Sequence, residues 1–81
     1  MKRIEILGIG CARCTKTEQE VRRAVASLGW QEGREFTLYK IENPSEIAAR
    51  GILMTPGVII DGKVVSAGKV PTQKEILSWL K

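Results

Sequence analysis

The residues best suited to chemistry are two thiols three positions apart. Cys11 and Cys14, in Gly10-Cys11-Ala12-Arg13-Cys14, are the only cysteines of the chain, and they stand where an apolar segment gives way to the pattern of an amphipathic helix. A Cys-x-x-Cys pair at a helix start holds two sulfurs close enough to bond, and the positive end of the helix favours a thiolate on the first of them. A terminus contribution of about 0.3–2 kcal/mol equals about 0.2–1.5 pKa units, which brings an ordinary thiol toward the physiological range. Cys11 is therefore the expected nucleophile. Cys14, one turn into the helix, is expected to resolve the mixed disulfide that Cys11 forms, and Arg13 between them is a candidate thiolate stabiliser. Three chemistries stay open to the pair: dithiol–disulfide exchange, a thiolate metal or metalloid carrier or sensor, and an inert short Cys11–Cys14 disulfide. Zinc would need four strong ligands, whereas the chain has two Cys and no His; copper(I) asks only for soft thiolates. No metal or other cofactor is expected.

The elements around the pair are legible from periodicity. Lys2–Leu7 reads as a strand, ended by the backbone freedom of Gly8 and Gly10. From Ala12 to Leu28 the apolar residues Val21, Ala24, Val25 and Leu28 fall on one helical face, and Gly29 supplies the stop. Glu35–Ile41 alternates Phe36 and Leu38 with Thr37 and Tyr39 as a second strand, so strand, helix and strand imply a parallel βαβ unit with a right-handed crossover. Asn43-Pro44-Ser45-Glu46 offers an N-cap, a Pro at the first helical position and a capping-box Glu for a short helix ending near Arg50. Val58-Ile59-Ile60 and Lys63-Val64-Val65 flank Asp61-Gly62, the dipeptide of a two-residue hairpin. Thr72-Gln73-Lys74-Glu75 caps a closing helix whose stripe is Ile76, Leu77 and Leu80, with Trp79 at the rim. Trp30 and Tyr39 are assigned to packing, and Ile52, Leu53 and Met54 to core or to an apolar lip beside the thiols. The order is βαβαββα.

Composition narrows the function classes. Eighty-one residues make room for one small domain, residues 1–81. A content of 43% hydrophobic and 27% charged residues without low-complexity tracts is that of an ordered chain. No apolar run approaches a membrane span, and the start of the chain does not read as a signal peptide, so no membrane insertion and a cytoplasmic location are expected. The net charge of +4 comes from scattered Lys and Arg. A nucleic-acid partner would want a basic stripe with stacking aromatics, and none is visible.

The element order, the Gly8-Ile9-Gly10-Cys11-Ala12-Arg13-Cys14 segment after the first strand, and Met54-Thr55-Pro56-Gly57-Val58 opening the third together resemble the thioredoxin-like superfamily. The likeness is greatest to its small, glutaredoxin-sized redox-active disulfide proteins. It covers nearly the whole chain. It implies a four-stranded mixed sheet flanked by three helices, a redox-active Cys11–Cys14 disulfide, a cis proline at Pro56 packed against it, and Thr55 beside Pro56 as the substrate-binding segment. It also implies a thiol–disulfide oxidoreductase serving cell redox homeostasis and electron transport: a monomer that exchanges disulfides with a protein or a low-molecular-weight thiol and is recharged by an upstream reductase. Glu5, six residues before Cys11, takes by the same resemblance the place of a buried acid that accepts the Cys14 proton; the residues alone read equally well as a solvent-facing strand position. Ala12-Arg13 between the cysteines, Thr55 in place of a glutaredoxin Val, and Ala67-Gly68-Lys69 in place of a Gly-Gly pair depart from the relatives, and weak glutathione recognition is expected.

Overall fold

A computed structural model describes residues 1–10 and 12–81. The apolar start of the chain forms β1 (Lys2–Leu7), followed by α1 (Ala12–Ser27), β2 (Phe36–Ile41), α2 (Pro44–Ala49), β3 (Gly57–Ile60), β4 (Lys63–Ala67) and α3 (Gln73–Leu80). The expected βαβαββα order is therefore observed. The four strands lie in the order β2-β1-β3-β4. β1 pairs in parallel with β2, and antiparallel with β3, which pairs antiparallel with β4. This is the four-stranded mixed sheet flanked by three helices that the resemblance implied.

Period-two alternation in β1 distributes the core between the two faces of the sheet. Ile4 and Ile6 join Val21, Ala24 and Val25 of α1, Val58 of β3, and Ile76 and Leu80 of α3 in the larger cluster. Leu7 turns to the opposite face and joins Ile47 of α2, Ile52 and Ile59. A cross-link from Gln73 Nε2 to the Glu20 carbonyl, 2.7 Å, ties α3 to α1. Asp61 and Gly62 both have positive φ, 51° and 83°, so the hairpin takes the backbone that the dipeptide suits. Its Asp61 Oδ1 also accepts from the Arg3 amide at 2.9 Å, closing the hairpin onto the start of β1.

Three details refine the sequence reading. β4 continues two residues past Val65 to Ala67, bringing the next loop to the end of the sheet where α1 begins. Tyr39 leaves the core: it is 40% exposed, and the Arg3 guanidinium lies 4.1 Å from its ring centre. The Ile52-Leu53-Met54 run divides, with Ile52 in the core and Leu53 and Met54 exposed.

Candidate active site

The site is the end of the sheet where β1 stops and α1 starts. Cys11 lies outside the described residues, so the site is built from its neighbours. Cys14 sits in the first turn of α1 and is buried, 8% exposed. Beneath it is Gly8, whose φ is not positive: here glycine is required for space. A Cβ added at Gly8 would collide with the Cys14 sulfur and would stand 3.7 Å from Thr55 Cβ. Cys14 and Thr55 thus meet over the same backbone position, although they stand 41 positions apart in the chain.

The Thr55–Pro56 peptide bond is cis, Thr55 is exposed and Pro56 is buried. The Arg13 side chain has a backbone partner. One guanidinium nitrogen donates to the Gly68 carbonyl at 2.6 Å, and the Gly68 amide donates to the Pro56 carbonyl at 2.9 Å. Gly68 has φ of 83°, and a Cβ there would press on Met54 at 3.2 Å. Arg13, Gly68 and Pro56 therefore form one hydrogen-bonded chain that ties the Cys-x-x-Cys helix to the loop entering β3. Within α1, the buried Thr17 hydroxyl donates to the Arg13 carbonyl at 2.8 Å.

Glu5 is buried, 6% exposed, and is not solvent-facing. It shares the sheet face of Leu7 and Ile59, beneath the end of α2, where Arg50 Nε reaches its Oε1 at 3.1 Å and Arg3 stands 3.9 Å away. Cys14 packs on the opposite face, over Gly8. Two other acids line a cavity beside Cys14. The cavity, of about 30 Å³, is walled by Ile6, Gly8, Glu18, Lys40 and Glu42, and Lys40 Nζ is 3.3 Å from Glu18 Oε1. Burial pushes the Glu18 carboxyl up, but hydrogen bonds and charge from Arg22 and Lys40 outweigh it and hold the group below its ordinary value.

Sequence reasoning assigned no role to Glu18, Lys40 or Gly68. For Glu18 a signal was present: it follows Cys14 by four positions, and residues at i and i+4 share a helix face. Lys40 and Gly68 come from β2 and from the loop after β4, and only tertiary structure brings them here. Ile9, just before the Cys-x-x-Cys motif, and Leu53 and Met54, just before Thr55, are exposed apolar residues at 57%, 92% and 65%. Among the described residues no group of three His, Cys, Asp or Glu side chains could hold a metal ion, and no helix is long and apolar enough to cross a membrane.

The family model described as a thioredoxin domain matches residues 2–81. A protein described as thioredoxin from Methanocaldococcus jannaschii is 37% identical over 78 residues, 96% of this chain and 85% of that protein. Another described as thioredoxin, from Methanothermobacter thermautotrophicus, is 37% identical over 76 residues, 94% of each chain.

Proposed function

The chain belongs to the thioredoxin family, and on that premise we propose that it reduces disulfides of protein partners, with Cys11 as the attacking thiol and Cys14 as the resolving one. Family membership together with the Cys11/Cys14 spacing supports thiol–disulfide oxidoreductase activity. The observation that carries the assignment of roles is the burial of Cys14 against Gly8: a shielded thiol is poorly placed to meet a bulky substrate and well placed to attack a bond formed one helical turn away.

Cys11 thiolate attacks one sulfur of the partner's disulfide, and the electron pair of that bond leaves on the other sulfur. Cys14, after losing its proton, attacks the Cys11 sulfur of the mixed disulfide; the partner departs as a thiolate, and the Cys11–Cys14 bond forms. An upstream reductase returns the pair to dithiol. Thr55 offers its exposed backbone to an extended substrate segment as an added strand edge would, while Leu53, Met54 and Ile9 supply apolar contact area for a protein partner. Arg13 serves as a clamp in this reading. Its guanidinium is committed to Gly68, so it fixes the motif against the Thr55–Pro56 loop and adds its charge to the field at the start of α1. Glu5 belongs to the ion pair with Arg50 and holds α2 to the sheet. The chain acts as a single domain and a monomer in the cytoplasm.

The test is reduction of insulin disulfides with dithiothreitol as recharging reductant. The wild type should precipitate insulin well ahead of the reductant alone, Cys11→Ser should not, and Cys14→Ser should accumulate covalent protein–insulin adducts. A wild type no faster than dithiothreitol would remove the reading.

A further inference from the structure

Arg13 is the arginine of the Cys-x-x-Cys motif, and its partner is a carbonyl, not a carboxylate. Arg3, Arg22, Arg34 and Arg50 each lie 3.0–3.9 Å from a carboxylate, whereas among the described residues Arg13 is within that reach of none. Its one bond, at 2.6 Å to Gly68, orients the guanidinium without neutralising it. A guanidinium carries five N–H donors in a flat fork, so most of them remain for another acceptor, and the side chain is exposed. The surroundings do not supply one. The first turn of α1 contains no acid, and Glu75 at the start of α3 is taken by Lys69 at 2.6 Å and by the Thr72 amide at 3.0 Å. The anchor also places the group against the substrate-binding segment. Gly68 donates to the Pro56 carbonyl at 2.9 Å, and Met54 lies against the same glycine, 3.2 Å from where a Cβ would stand.

We propose that Arg13 selects the partner: it receives a carboxylate side chain close to the attacked disulfide, so the preferred substrates are disulfides set in acidic segments of proteins. The inference rests on the reading of the chain as a disulfide reductase and gives that reading a substrate class. Arginine takes a carboxylate through two parallel N–H···O bonds, which fix orientation as well as adding attraction. An extended segment laid along Thr55 advances about 3.3 Å per residue, so an Asp or Glu a few positions from its reacting cysteine stays near the attacked sulfur. Arg13 is itself two positions from Cys11. Its role is therefore that of a specificity-determining residue, added to the clamp that the Gly68 bond provides.

The test uses three disulfide-linked peptide dimers that differ only in the residues flanking the cysteine, which are Glu, Gln or Lys. Pre-reduced protein is mixed with each, and the peptide thiol released is followed by chromatography of acid-quenched samples. Each rate is divided by that of dithiothreitol on the same peptide, which removes the effect of the flanking charge on the disulfide itself. The wild type should reduce the Glu peptide about two- to fivefold faster than the Gln peptide at low salt, and the Lys peptide slowest. Arg13→Gln removes the clamp as well as the charge, so all three rates should fall, but the mark of the proposed role is that the Glu-to-Gln ratio falls to unity. That ratio is internal to each variant and does not depend on its folded fraction. Lys16→Gln removes the same charge from an exposed position almost one turn further along α1 and should keep the ratio. A wild-type ratio of unity, a ratio unchanged in Arg13→Gln, or an equal loss in Lys16→Gln, as diffuse charge would give, would overturn the inference. Equal reduction of all three peptides removes the acidic preference alone, whereas a protein that releases no peptide thiol loses the oxidoreductase reading and this inference with it.

Discussion

α1 follows β1 and α3 follows β4, and the Arg13–Gly68 hydrogen bond ties the first helix to the loop that leads to the second, yet the two helix starts are built in opposite ways. A helix start carries unpaired N–H groups and partial positive charge that something must satisfy. α3 meets this from its own sequence. The Thr72 hydroxyl accepts from the Glu75 amide at 3.2 Å, and the Glu75 carboxylate accepts from the Thr72 amide at 3.0 Å. Lys69 then anchors the same carboxylate at 2.6 Å. The first turn of α1 contains no acidic residue, and under it lies Gly8, kept clear for the Cys14 sulfur. The start of α3 is neutralised locally, whereas the first turn of α1 has no acid to offset its field.

Filling the space beneath α1 is the most damaging way to break this contrast. Gly8→Ala places a methyl where the Cys14 sulfur stands, so Cys14 and the first turn of α1 must shift. Overpacking of this kind costs about 1–3 kcal/mol, measurable by urea denaturation, and resolution of mixed disulfides should slow with it. Unchanged stability and unchanged resolution would mean that the close approach at Gly8 constrains nothing.

A smaller effect is expected from stripping α3 of its cap. Thr72→Ala should cost about 1 kcal/mol of stability and leave insulin reduction unaffected. The pH dependence follows the same carboxylate. The Lys69 hydrogen bond, with those from Thr72, pulls Glu75 from 4.5 to about 2. A carboxyl lowered on folding stabilises the fold fully above its ordinary value, and that contribution is lost as pH falls through the folded one. The stability gap between wild type and Glu75→Gln should therefore close between pH 4.5 and about 2. A gap constant over that interval would show that Glu75 is not held this way.

These two helix starts also mark what could be learned from sequence. The α3 cap is local, four consecutive residues whose side chains bond one another, and Thr72-Gln73-Lys74-Glu75 announces it. The same holds for Asn43 at α2, whose Oδ1 accepts from the Ser45 amide at 2.8 Å, and for the Asp61-Gly62 hairpin. The Cys11/Cys14 spacing is local too and pointed to the family. What lay hidden was assembled across the chain. Gly8 looked like loop freedom because its real constraint, the sulfur of Cys14, is visible only once α1 has folded back over β1. Glu5 read equally well as an acid serving Cys14 or as a solvent-facing residue, because a position on β1 says nothing about what covers it; the fold buries it and pairs it with Arg50. For Arg13 the carbonyl acceptor, Gly68, comes from 55 residues away, and no local pattern announces it.

The subtlest test gives α1 what α3 already has. Ala12 is the first residue of α1 and exposed, so Ala12→Asp introduces a carboxylate at the helix start without disturbing the core. On helix grounds alone the substitution is favourable, by about 0.3–1 kcal/mol, and urea denaturation should show the variant as stable as wild type or slightly more so. On the chemistry it should act the other way. The new charge neutralises the field at the start of α1 and raises the pKa of the Cys11 thiol by about 0.2–0.7 units, because an anion beside a sulfur disfavours its thiolate. Alkylation of the reduced protein across a pH series would read this as slower labelling of Cys11 near neutrality. A stabler protein with a less reactive Cys11 is what a start reserved for chemistry predicts; a variant that labels Cys11 as fast as wild type would mean that the bare first turn of α1 contributes nothing to the thiolate.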